Sequence, residues 1–269
     1  MIIKIIHNNE NYKLDTNNSI DISIPYQFNN KQPNFFDVNP GVSSPLILNN
    51  NIYSVQSGAS CNVSEIKMNI HCTGTHTECV GHILKDPGDI GTMLNDIILP
   101  SLLISVEPKP FELTKDLYHC SVKKNELVIS KKIIEDAVKN INQYCPEALI
   151  IRSIPNPLEK KSYQYQSNVP PFFTNDALKY IADLKIRHLV VDLPSIDRMH
   201  DKGLLGNHRI FWNNNSQPFE EVNSKSKNTI TEMSYIPNQI NDGFYFLNIQ
   251  IPHFVNDAAP SRPLIFKPL

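Results

Sequence analysis

A single α/β domain spanning residues 1–269, with a mixed β-sheet core and helices packed on it, is the fold this sequence predicts. Three observations carry that reading. Strand patterns dominate the first 107 residues. The second half then twice sets a helical period before a short, wholly apolar run, the order that produces parallel pairing. Strand patterns return near the C-terminal end. Hydrophobic residues make 41% of the chain and charged residues 19%, a balance that suits a packed globule and not a disordered chain.

Taken in order, residues 2–6 and 20–24 are short β-branched runs. Residues 26–52 are too long for a simple connection. With Phe28, Phe35 and Phe36 they read as an ordered surface loop with a function. Residues 65–70 (EIKMNI) alternate at period two, and 102–106 is a compact apolar run. Ser130 precedes a helical pattern of Ile133, Ile134, Ala137, Val138 and Ile141, and residues 148–151 read as a buried strand. Thr174 then caps a helix with Ala177, Leu178, Ile181 and Ala182 on one face, followed by a buried strand at 188–192. Strands near Ile230 and at 244–249 close the pattern. No internal repeat interrupts it.

Several function classes fall away. The net charge of −2 and pI near 6.5 give no field that would gather nucleic acid or an anionic membrane. No apolar run approaches the ~18–20 residues of a membrane span. The N-terminal residues show neither an h-region nor a cleavage site. Five cysteines, Cys61, Cys72, Cys79, Cys120 and Cys145, are an odd number without a CxxC pair, so no disulfide framework and a cytoplasmic setting are expected. The abundant asparagine reads as coding bias.

The chemistry concentrates in residues 69–84, NIHCTGTHTECVGHIL. His71, Cys72, His76, Glu78, Cys79 and His82 fall there, all side chains that bind divalent transition metals. In an extended segment residues of equal parity share a face, which groups Cys72, His76, Glu78 and His82 and turns His71 and Cys79 away. The bland alternative is that the cysteines are small buried apolar residues and the histidines satisfied ones. No standard structural zinc spacing is present. Elsewhere, His200 reads as exposed in a loop near the site and His253 as part of a turn. His7, His119 and His188 read as structural or exposed, Trp212 as core, and Asp192 and Asp197 as turn organisers.

The run C-T-G-T-H-T-E-C-V-G-H resembles the H-x-G-T-H-x-D-x-P-x-H signature of the metal-dependent cyclase family, which includes kynurenine formamidases (arylformamidases) and isatin hydrolases. It departs at Cys72, Glu78 and Val80, where the signature has His, Asp and Pro. Residues 21–25 (DISIP), 151–153 (IRS) and 191–197 (VDLPSID) are similar to further family segments, as are those around His208, Glu232 and 259–263. The resemblance implies a swivelling β/β/α-like fold and metal ligands at Cys72, His76, Glu78, His208 and Glu232. Glu78 and Glu232 would be able to bridge two ions. It also implies His82 as general acid/base, a small-molecule substrate and a homodimer or homotetramer. His71 is the alternative first ligand if the strand shifts by one residue, and parity favours Cys72. A thiolate favours zinc over manganese, with one or two ions bound. Phe35 and Phe36 are candidates for stacking on an aromatic substrate. The reaction expected is hydrolysis of an amide, N-formyl or cyclic-amide C–N bond, as in tryptophan breakdown. Lactone hydrolysis or cyclisation, or a catalytically silent binding relative, are the alternatives.

Overall fold

The computed structural model describes residues 1–139, 143–213 and 222–269. Its centre is a nine-stranded mixed sheet. In chain order the strands are β1 (Ile20–Asp21), β2 (His76–Glu78), β3 (Leu99–Val106), β4 (Ala148–Ser153), β5 (His188–Val191), β6 (Thr229–Glu232), β7 (Gly243–Gln250), β8 (Ala258–Pro260) and β9 (Arg262–Phe266). Across the sheet they run β8-β2-β6-β5-β4-β3-β7-β9-β1. The middle four, β3 to β6, are parallel neighbours in sequence order, and every other pairing is antiparallel.

Parallel strands need long crossovers, and helices supply them. They are α2 (Lys131–Ala137) between β3 and β4, α3 (Asn175–Asp183) between β4 and β5, and α4 (Gly206–Asn213) between β5 and β6. A short α1 (Ile90–Met93) precedes β3. The pleat then sorts the core. Leu149 and Ile151 of β4 face Leu178, Ile181 and Phe211 of the helices. Ala148 and Ile150 face the opposite way, toward Leu247, Ile265 and Ile22. Burial on both faces explains why β4 and β5 read as unbroken apolar runs and not as alternation.

The expected α/β class with a mixed sheet is the fold observed. Thr174 caps α3 as expected, its hydroxyl accepting from Ala177 N at 3.2 Å. Ser130 occupies the cap position of α2, but its side chain makes no cap bond. Ile141 lies outside the described residues. The run at 65–70 pairs as Ser64–Lys67 with Val42–Pro45, yet all four residues are exposed, so its alternation does not mark a half-buried face. Only Ile20–Asp21 of the run at 20–24 pairs. No helix among the described residues is long and apolar enough to cross a membrane.

His188, at the start of β5, is buried, as a structural histidine should be. Its Nδ1 lies 2.9 Å from Thr229 Oγ1 and its Nε2 3.3 Å from Asp96 Oδ2. Burial, reinforced by the charge of Arg187, lowers its pKa to about 4 from an ordinary 6.5. The folded state therefore keeps this ring neutral where the unfolded chain protonates it. Stability is unaffected above pH ~6.5 and falls as pH drops from there to ~4, by about 3 kcal/mol in all. Urea unfolding at pH 7 and pH 4.5 should show that loss in the natural protein and a smaller one in His188→Asn.

Candidate metal and active site

The site forms where β2 is laid antiparallel on β6. Their register sets His76 opposite Glu232, Thr77 opposite Thr231 and Glu78 opposite Ile230. Period two then sends Glu78 and Glu232 to the side of Ile230, toward α4, while Thr77 and Thr231 join hydroxyls at 2.7 Å on the other side. α4 contributes His208 in its first turn, with Nε2 2.9 Å from Glu78 Oε1 and 3.7 Å from Glu232 Oε1. His76 Nε2 is 3.5 Å from Glu232 Oε2.

The chain on either side of β2 folds back over it. Residues 70–74 form a turn, with Thr73 Oγ1 donating to Asn69 O at 2.6 Å. Gly74 lies against the Tyr26 ring, in space a Cβ would occupy. After β2 a short 3-10 turn, Val80–Ile83, swings His82 back, and Gly81 is required there because a Cβ would collide with Pro87 O. The two flanks meet. The rings of His71 and His82 stack with centroids 4.5 Å apart, and each has an Nε2 3.7 Å from Glu78 Oε2. Asp257, just before β8, reaches His82 Nδ1 and His71 Nε2 at 3.0 Å each.

This corrects the parity argument. Residues 70–74 are not extended, so His71 pays no face reversal to enter the site. Cys72 also lines the cavity, on the Glu232 side, packed among Ile24, Phe35 and Met233. Burial and the Glu232 charge push its thiol up to about 11. Among the described residues, groups of three ligand atoms within 4.8 Å of one another are His76–Glu78–Glu232, His71–His82–Asp257 and His119–Asp197–Asp201, none with Cys72. The structure thus brings His71, His76, Glu78, His82, His208 and Glu232 together. Phe35 and Phe36 stand on the wall of the same cavity of about 650 Å³, their rings 4.0 Å apart, as does His200. Trp212 is core, its Nε1 donating to Asn228 O at 3.0 Å.

Two orienting groups escape a reading of the sequence. Asp257 sits in an unremarkable NDAA run with no motif to single it out. Asp197 does organise a turn, accepting from the backbone N–H of Asn207 and His208, but it also takes His208 Nδ1 at 2.7 Å. His119, Asp201 and Tyr118 extend this network behind it, Tyr118 donating to Asp197 Oδ1 at 2.9 Å. Asp192 instead pairs with buried Lys160 at 2.7 Å.

The donor set fits a cation. His76 Nδ1 lies 3.0 Å from Gly74 O, which fixes its proton there and leaves Nε2 as a lone pair. That Nε2 is buried and has no hydrogen-bond partner. His208 is oriented the same way by Asp197. Imidazoles held at Nδ1 by an oxygen, with Nε2 aimed at two carboxylates, are the arrangement of metal-ligating histidine. Burial disfavours protonation of His208 and His76, but Glu78 with Asp197, and Glu232 with Glu78, outweigh it and raise both pKa values. Glu78 is held below the usual carboxylate range, its burial outweighed by His82 and His208.

Comparison with known proteins places this geometry. The family described as "Putative cyclase" matches residues 20–198, about two thirds of the chain, and the protein belongs to that family. His208 and Glu232 lie beyond the matched span. No curated protein matches. Among solved structures, "predicted metal-dependent hydrolase from Bacillus stearothermophilus" is 19% identical. The alignment covers 92% of this chain and 97% of that one, with a TM-score of 0.57. Isatin hydrolase A from Labrenzia aggregata, bound to benzyl benzoate, is 11% identical over 92% and 93%, with a TM-score of 0.61. A novel cyclase is 13% identical over 94% and 90%, with a TM-score of 0.62. At these identities the likeness is one of fold.

If Asp197 sets the ring of His208, Asp197→Asn should weaken divalent-metal binding about 10- to 100-fold while the protein stays folded. Competition against a fluorescent chelator measures this.

Proposed function

We propose that the protein is a metal-dependent hydrolase of non-peptide C–N bonds, acting on an amide, N-formyl or cyclic-amide substrate in the manner of an arylformamidase. The observation that carries this is the pair of oriented imidazoles, His76 and His208, whose Nε2 atoms face Glu78 and Glu232 at the floor of an open cavity. These four residues would hold one or two divalent ions, zinc first and manganese second. Cys72 is proposed as a further donor, since it stands on the Glu232 side while His71 is engaged with His82 and Asp257. When bound, such an ion acidifies water and polarises a carbonyl.

The chain's own residues do the rest. Asp257 accepts a hydrogen bond from His82 Nδ1–H at 3.0 Å and so turns Nε2 of the neutral ring, its lone pair, toward the cavity. That nitrogen can accept a proton from the attacking water and return it to the leaving nitrogen. Phe35 and Phe36 offer an aromatic wall on which a flat substrate can stack. The isatin hydrolases of similar fold support a cyclic-amide substrate, and the family description supports lactone hydrolysis or cyclisation as the second reading. Five cysteines, an odd number without a CxxC pair, suit a cytoplasmic setting.

Purified protein loaded with zinc or manganese should turn over at least one of N-formylkynurenine, isatin or a cyclic imide, and chelation should abolish it. His82→Ala should lower kcat about 10²- to 10⁴-fold with bound metal retained. Asp257→Asn should lower kcat more than it changes KM. Metal-replete protein inert toward all three substrates and toward lactones would leave the silent binding relative as the correct reading.

A further inference from the structure

Glu78 turns its two oxygens to two different sets of side chains. Oε1 meets His208 Nε2 at 2.9 Å, on the side of Glu232. Oε2 lies 3.7 Å from the Nε2 atoms of both His71 and His82, on the side of Asp257. The proposed reaction draws its ion from the first set and uses His82 to move a proton. His71 has no part in it.

His71, His82 and Asp257 each bring a ligand atom within 4.8 Å of the other two. His71 Nε2 is 3.0 Å from Asp257 Oδ2 and buried, yet it makes no hydrogen bond. A carboxylate oxygen that close but off the ring N–H axis is a poor acceptor. It is an ordinary neighbour for two ligands of one ion. With bonds of about 2.1 Å, ligand atoms at tetrahedral angles lie about 3.4 Å apart. The separations from His71 Nε2, 3.0 Å to Asp257 and 3.7 Å to Glu78, bracket that spacing. His76 Nε2, in the first cluster, is orphaned in the same way. The outer cluster is also open to solvent. The His71 side chain is 28% exposed and that of His82 25%, against 1% for Glu78, and both rings line the cavity.

We propose that His71, His82 and Asp257, closed by Glu78 Oε2, form a second cation site that takes a divalent transition ion such as zinc when metal is in excess, and that filling it stops turnover. Two imidazoles with carboxylate oxygens suit zinc and not magnesium or calcium. A neutral imidazole has a single lone pair on nitrogen. Whichever nitrogen of His82 serves the ion, none is left to take a proton from water. The inhibitory role therefore rests on the reading of His82 as general base, whereas the site itself rests on geometry. Asp257 is the one carboxylate this site does not share, and an ion already held beyond Glu78 repels a second. The outer ion thus binds more weakly than the inner and exchanges with solvent. Two ions bridged by Glu78 and Glu232 would use neither His71 nor Asp257, so the outer site is a separate one.

Equilibrium dialysis against zinc should find one ion per chain more in the natural protein than in His71→Gln, or that last ion should bind at least about 10-fold more weakly in the variant. Crystals of the natural protein soaked in zinc should show anomalous density among His71, His82 and Asp257, a readout that needs no variant. Turnover of an accepted substrate should rise with the first zinc and fall as the last one binds, and His71→Gln should raise the inhibition constant at least about 10-fold. Equal ion counts and affinities in the two proteins, or anomalous density confined to the Glu232 side, would overturn the site. Full turnover with the outer site filled would overturn its inhibitory role. If metal-loaded protein accepts no substrate, the hydrolase reading alone has failed, and dialysis and density still decide the site.

Discussion

A carboxylate taken out of water must be met by opposite charge, and Glu78 is 1% exposed. Most of the local structure around β2 can be read as the answer to that requirement. Three imidazoles from three separate places reach it: His71 from the turn before β2, His82 from the turn after it, and His208 from α4. The turn at 70–74, the glycine at 81 and the first turn of α4 each bring one imidazole to that buried charge. The same charge makes the cluster receptive to a cation, because a divalent ion can replace the protons that the raised pKa values of His82 and His208 favour.

The sheet supplies the precision. β5 and β6 are parallel neighbours, and the segments leaving their ends carry Asp197 and then α4, while β6 itself ends on Glu232. Ile196 N donates to Glu232 Oε1 at 2.9 Å, so the segment that fixes His208 through Asp197 also fixes Glu232. Glu232 and His208 are thereby held by adjacent residues of one loop. Behind them His119, Asp201 and Tyr118 keep Asp197 from rotating. Side chains held by a shared loop in this way are oriented by the protein itself, which is what pre-organisation of a site requires.

Legibility from sequence followed the range of the interaction. The helix–strand alternation of the second half was plain because burial on both faces leaves a strong local pattern, and Thr174 was plain because a cap bonds three residues away. The ligand run at 76–82 was legible as a cluster, but the parity that was to rank Cys72 over His71 assumed one strand where the chain makes a turn. Thr73 bonding back to Asn69 is what bends it, and threonine alone does not announce that. Asp257 was invisible because its partners are some 175 residues away in sequence. The asparagines were misread. Asn8, Asn9, Asn29, Asn49 and Asn50 all sit at positive φ, where asparagine is among the few side chains tolerated, so part of the asparagine content shapes turns.

The two departures at Cys72 and Glu78 make more sense together than apart. Glutamate carries its carboxylate about 1.5 Å farther from the strand than aspartate would. Cysteine reaches less far than histidine. In this chain the longer residue stands at the centre of the cluster, within 4 Å of three imidazoles, while the shorter one is drawn back against Ile24, Phe35 and Met233. The weight of the site has moved off the first position of the motif and onto its carboxylate. His71 occupies space on the opposite flank, stacked on His82 and sharing Asp257 with it. Glu78 and Asp257 hold His71 and His82 between them, Glu78 at 3.7 Å from each Nε2 and Asp257 at 3.0 Å from each ring. The cohesion of that flank therefore comes from two carboxylates, one on β2 and one just before β8.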